Sequence, residues 1–241
     1  IKPDHKSYEK AKNLGNPVTG FPFGGHLGIR IHYGFFSTAL TLMTLLPGIL
    51  HASIDSDYYP RLSSVNKDIV AMNRMVNEQA EVQLLIQTPL LLAYLLALQL
   101  LVPLLYDYEL IVAVPMTQLA MFGMFVRTMT YSMSYLPLAR GDSKVFILQE
   151  AIYNVIYVLL VITGYKFYGL VGVGIAIAAA YSIEWIVVGI IAFIKYKFTL
   201  SGELIKCFVL QLPLFLLMLF VLGVQAQFMR SFSPSIRSMQ M

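Results

Sequence analysis

Residues 168–194 read YGLVGVGIAIAAAYSIEWIVVGIIAFI, and Glu184 is the one Asp, Glu, Lys or Arg among them. At about 1.5 Å per residue a helix of this length spans about 40 Å, more than the roughly 30 Å of a bilayer core. A helix on the surface of a soluble domain would show a polar face at the 3.6-residue period, and this stretch has none. Its solvent is lipid. The rest of the chain supports that reading. Hydrophobic residues make up 58% of the 241 positions and charged ones 12%, about half the charged share of an ordinary soluble domain.

Five further apolar segments lie at 33–54, 82–105, 110–137, 145–165 and 204–225. None alternates polar and apolar positions as barrel strands do, and a backbone in lipid must satisfy its own hydrogen bonds, so these segments are helices. The expected fold is all-α: a polytopic transmembrane helix bundle of about six spanning helices over 33–225. An irregular polar segment (1–32) precedes it and a short polar tail (226–241) follows. Pro47, Pro89, Pro103, Pro115 and Pro213 mark expected kinks or ends. The chain begins at Ile1 with no signal-peptide pattern, as expected for part of a longer protein.

The basic residues orient the bundle. Three loops that must share a side carry Arg61, Lys67 and Arg74, then Arg140 and Lys144, then Lys195, Lys197 and Lys206, while the opposite side has Lys166, Arg230 and Arg237. The positive-inside rule makes the first group cytoplasmic and the C-terminal tail external. Lys2, Lys6, Lys10, Lys12 and Arg30 fall on the external side by the same alternation and cancel the bias, so 1–32 is expected to be displaced from a simple topology. The net charge of +4 is spread along the loops, with no block resembling a nucleic-acid arm.

Several chemistries are disfavoured. The single Cys207 forms neither an internal disulfide nor a cysteine metal site. His5, His26, His32 and His51 lack metal-ligand spacing, and neither a phosphate loop nor a nucleophile elbow occurs. The expectation is a protein that is not an enzyme, without catalytic residues, metal or cofactor.

Ionisable groups within a span are costly and are functional candidates by default; here they are Arg127 and Glu184. Gly123, Arg127, Thr130 and Ser134 follow at spacings of three or four and form one stripe that faces protein or water. A cavity arginine suits phosphate or carboxylate, which its guanidinium holds through two hydrogen bonds; it serves equally as a tie to a neighbouring helix. Glu184 ends a seam of Gly172, Ala176 and Ala180 that allows close helix approach. Its carboxylate pairs with Arg127 or takes a proton or cation. Further polar faces run through Glu150, Tyr153, Asn154 and Tyr157 and through Gln79, Gln83 and Gln87, suited either to sugar hydroxyls or to interhelical hydrogen bonds.

The stretch Asp57-Tyr58-Tyr59-Pro60-Arg61-Leu62-Ser63, followed by Asn77-Glu78-Gln79, resembles the bacterial polysaccharide flippases of the multidrug/oligosaccharidyl-lipid/polysaccharide exporter superfamily. The likeness extends through Leu138-Ala139-Arg140-Gly141-Asp142-Ser143-Lys144 and Tyr168-Gly169-Leu170-Val171-Gly172. It implies a multi-pass protein of the bacterial inner membrane, resembling the C-terminal lobe of a two-lobed flippase. Such a transporter carries an undecaprenyl-diphosphate-linked oligosaccharide across the membrane for O-antigen, lipopolysaccharide or capsular polysaccharide biosynthesis. The implied partners are that lipid-linked oligosaccharide, membrane lipids, and either a missing N-terminal lobe or a second copy of the chain; no nucleic acid is implied. The resemblance implies Arg127 as a mid-membrane substrate contact with Arg61 and Arg140 as contacts on the cytoplasmic side, and the polar positions read from the helices themselves add Glu184, Glu150 and Asn154 as candidate substrate contacts. Pro60 is expected to stop the preceding helix. Two alternatives remain: a multidrug exporter of the same superfamily, and a membrane scaffold of glycan assembly that does not transport.

Overall fold

The computed structural model describes residues 56–105 and 114–238, together with Ser37, Thr41, Thr44, Pro47, Gly48, His51 and Ala52. All seven of the separate positions are helical, and the remainder of the 33–54 segment and the whole of 1–32 lie outside the described residues. Helices α1 (56–64), α2 (Ile69–Leu105), α3 (Val114–Ser134), α4 (Leu136–Ala139), α5 (Ser143–Tyr196) and α6 (Gly202–Ser238) follow in order, and no strand occurs among the described residues. Three of these helices contain a stretch long and apolar enough to cross a membrane: Ile69–Leu98, Ser143–Tyr196 and Gly202–Val221.

The 54 residues of α5 would reach about 80 Å if straight. They are folded in two at Gly169, whose φ of 60° and ψ of −142° are not helical and are open to glycine alone. The arms 143–168 and 170–196 lie antiparallel, as separate 145–165 and 168–194 segments require. Close to the bend the backbones of Gly164 and Gly172 touch, so that a Cβ on either would run into the other's carbonyl oxygen. Farther along, the rings of Tyr153 and Tyr181 stack at 6.0 Å.

α3 lies against the second arm of α5 and runs parallel to it. Gly123 meets Ala178 and Tyr181, and Gly174 meets Met116, each glycine sitting where a Cβ would overlap backbone. The Gly172, Ala176 and Ala180 seam serves packing within the hairpin, with Gly164 against both Gly172 and Ala176. α2 crosses α3 in the opposite sense, and Ser132 donates to Gln83. α2 and α6 run parallel, joined from Asn77 with Thr199 to Thr88 with Gln211. A core of Leu84, Leu91, Met121, Phe125, Ile177 and Phe215 fills the space between them.

The three basic loops meet at one end of this bundle. Arg140 donates to the Asn66 carbonyl at 2.6 Å, Lys195 pairs with Asp142 at 3.1 Å, and Asn73 donates to the Lys197 carbonyl. Asn77, buried two turns into α2, donates to the Asn73 and Thr199 carbonyls and accepts from the Ser201 amide. Ser201 caps α6 by accepting from Leu204 N–H, while Asp68 caps α2 through Val70 and Ala71.

Local expectations change at three places. Pro60 does not end a helix, because the chain stays helical from 56 to 64. Pro89 and Pro213 likewise end no helix and lie inside α2 and α6. α6 continues to Ser238, through most of what the sequence marks as a polar tail.

Candidate functional site

Arg127 stands near the middle of α3, on the side that faces the α5 hairpin. Its Nη1 donates to the Tyr181 hydroxyl at 3.0 Å, and its guanidinium carbon lies 4.8 Å from the Tyr181 ring centre and 5.7 Å from that of Tyr153. Both rings present π faces to the cation, which holds it in a setting poor in water. Glu184 approaches from the same arm as Tyr181, its Oε2 at 3.9 Å from Arg127 Nε. That separation is an ion pair without a hydrogen bond, and Glu184 Oε2 has no hydrogen-bond partner. The pair is lopsided in exposure: the Glu184 side chain is 5% accessible, that of Arg127 28%.

Helical geometry explains the convergence. Tyr181 and Glu184 are three residues apart on one face of α5, and Gly123 lies one turn before Arg127 on α3. Without a side chain at Gly123 the backbone at Ala178 comes close, which brings the guanidinium to the tyrosines. The stripe expected along α3 does face protein, with Thr130 fully buried and Ser134 nearly so.

The other sequence candidates separate into two groups. Glu150 stands on the first arm within electrostatic range of Glu184. Asn154 turns outward, exposed, and its amide donates to the Glu150 carbonyl of its own helix. Arg61 and Arg140 are remote from the centre. Arg61 pairs with Asp57 one turn away on an exposed surface, and Arg140 closes the loop at Asn66. Gln83 and Gln87, each 1% exposed, are buried at the α2 and α3 contact, where they serve packing.

Two residues of this centre were not singled out from sequence, Tyr181 and Gln149. Tyr181 could have been found from its spacing to Glu184, and Gln149 from its place four residues before Tyr153, on the same helical face, in the run VFILQEAIYNV (145–155). Among the described residues no group of three or more His, Cys, Asp or Glu is placed to hold a metal. No family model, curated protein or solved structure matches the chain.

Proposed function

We propose that this chain is one lobe of a membrane transporter of the bacterial inner membrane, moving a diphosphate-linked oligosaccharide between leaflets for surface polysaccharide assembly. The observation that carries the reading is Arg127: a permanent charge held at mid-helix by Tyr181, Tyr153 and Glu184, yet with over a quarter of its side chain accessible. A guanidinium used only to tie helices together would be enclosed by its partners; one left partly open can take a phosphate oxygen. The sequence likeness around Asp57–Ser63 supports the same reading.

Six spans fit this proposal: the 33–54 segment, α2, α3, the two arms of α5, and α6. α3 is the most polar of them, and Arg127, Thr128, Thr130 and Ser132 are tolerable at membrane depth because α2 and α5 flank it. The end bearing Arg61, Arg140 and Lys195 is cytoplasmic in this arrangement. The partner that completes the substrate path is an N-terminal lobe or a second copy.

The test is complementation of a flippase-deficient strain with the full-length gene, scored by surface polysaccharide at matched membrane levels. Arg127→Ala should abolish export and Arg127→Lys restore part of it. Normal export by the alanine variant would remove the transport role of Arg127 and leave the scaffold reading.

A further inference from the structure

The ion pair at the centre stands open although both of its charges would gain by closing it. Glu184 Oε2 is buried, lacks a hydrogen-bond partner and lies 3.9 Å from Arg127 Nε. A shift of about 1 Å would turn that separation into a charge-assisted hydrogen bond, roughly twice as strong as a neutral one. A buried carboxylate oxygen left unbonded is costly. Among the described residues Glu184 has no second cation to turn to: it otherwise lines a small pocket with Gln149, Tyr153 and aliphatic side chains.

Tyr181 accounts for the gap. Its hydroxyl accepts from Arg127 Nη1 at 3.0 Å, and its ring centre lies 4.8 Å from the guanidinium carbon. Tyr153 stacks on Tyr181 at 6.0 Å with 13° between the ring planes, and so backs it from the other arm of the hairpin. The guanidinium is a rigid planar fork, so holding Nη1 and the plane over a ring also fixes where Nε points. Tyr181 precedes Glu184 by three residues on one face of α5, and the two compete for one cation. They treat it differently. A hydroxyl and a π face hold the guanidinium without neutralising it, whereas a bonded carboxylate would cancel its charge. The Arg127 side chain keeps 28% of its surface accessible in this arrangement. We propose that Tyr181 is a positioning residue that holds the Arg127 guanidinium short of Glu184, so that its charge stays available to a phosphate-type anion. Glu184 is the competing partner that would otherwise quench it. The use of that free charge in export rests on the transport reading above; the competition itself does not.

Phenylglyoxal, which forms its adduct with a free guanidinium, reads this competition. The full chain in detergent would be labelled and Arg127 modification followed by peptide mass spectrometry, with exposed Arg61 as the internal reference. In Tyr181→Phe the guanidinium should close onto Glu184, and Arg127 labelling should slow about tenfold relative to Arg61. Adding Glu184→Gln to that variant should restore the parent rate. Unchanged or faster labelling in Tyr181→Phe, or slow labelling that Glu184→Gln does not relieve, makes Tyr181 a packing residue and overturns the proposal. The thermal midpoint of Tyr181→Phe should stay close to the parent's, since the new bond to Glu184 replaces the lost hydroxyl. Should that variant fail to fold, Glu184→Gln by itself decides. It should change the parent labelling rate far less than tenfold, and a tenfold rise would mean that the carboxylate already covers Arg127, which also overturns the proposal. Surface polysaccharide is the second readout: Tyr181→Phe should lower export and added Glu184→Gln should restore it. Normal export by Arg127→Ala would remove the transport reading and leave the labelling pattern standing. Loss of export in Arg127→Ala with parental labelling in Tyr181→Phe would remove only the role of Tyr181.

Discussion

The polar groups at the basic end of the bundle and those at its centre follow opposite rules. At the end, Asn77 fulfils two donors and an acceptor on the chain around it, and Asp142 takes both Tyr196 and Lys195. At the centre, the ion pair is stretched to 3.9 Å, and Glu184 and Gln149 keep unbonded atoms. The end is built for closure: its hydrogen bonds are short, and they join segments more than 120 residues apart in sequence, as Asn77 and Thr199 are. The centre retains polar capacity that folding does not use. Polar residues in a membrane bundle are thus of two kinds, and completeness of bonding separates them.

The largest effect should come from breaking the central pair on one side only. Arg127→Ala leaves the Glu184 carboxylate buried alone and should destabilise the chain by about 3–5 kcal/mol in detergent unfolding. Arg127→Met with Glu184→Gln should recover most of that loss, since the double variant carries no isolated charge. A double variant as unstable as the single one would mean that packing, not charge, dominates the centre. At the end, Asn77→Ala should cost about 2 kcal/mol, because the Thr199 carbonyl and Ser201 amide both lose their partner. Here no second substitution at a single site should compensate, which is the sharper contrast with the centre.

Smaller effects fall in the loops. Lys197 ends α5 with φ of 53° and ψ of 33°, a left-handed conformation that glycine adopts without steric cost. Lys197→Gly should therefore be neutral or stabilising by up to about 1 kcal/mol, measured by the same unfolding assay. Asp142 is the mildest case. Hydrogen bonds from Tyr196 and Lys195 hold its carboxyl below the usual carboxylate range. A lowered folded value contributes stability above the unfolded value, about 3.9, and that stability is lost as pH falls through the folded value. Unfolding midpoints of the parent and Asp142→Asn chains should therefore converge as pH is lowered below about 4, and diverge again on return to neutrality. A constant difference across that window would show that the contacts of Asp142 do not depend on its charge.

Much of the architecture was legible in the residues. The 168–194 run and its Gly169 opening foreshadow a separate helix, and its small-residue seam foreshadows close packing. The three basic loops, assigned to one side by the alternation of the expected spans, do meet at one end through Arg140, Asn66, Lys195 and Asn73. The pairing of Arg127 with Glu184 was one of two readings left open by sequence. Residues such as Pro60 and the 226–238 stretch misled, because a proline or a polar composition disfavours a helix without forbidding its continuation, and the chain stays helical over 56–64 and on to Ser238.

Composition and spacing by themselves determined that the apolar segments are helices, which polar residues share a helical face, and where the basic loops fall. These follow from bilayer thickness and the 3.6-residue period, which act on one segment at a time. The tertiary structure alone decided which faces meet: that Tyr181 and Tyr153 flank Arg127, that Asn77 fastens the 197–201 loop, and that Gln149 shares a pocket with Glu184. Periodicity fixes a residue's azimuth on its own helix. The register and rotation between two helices are set by whichever glycine and alanine contacts bring their backbones closest.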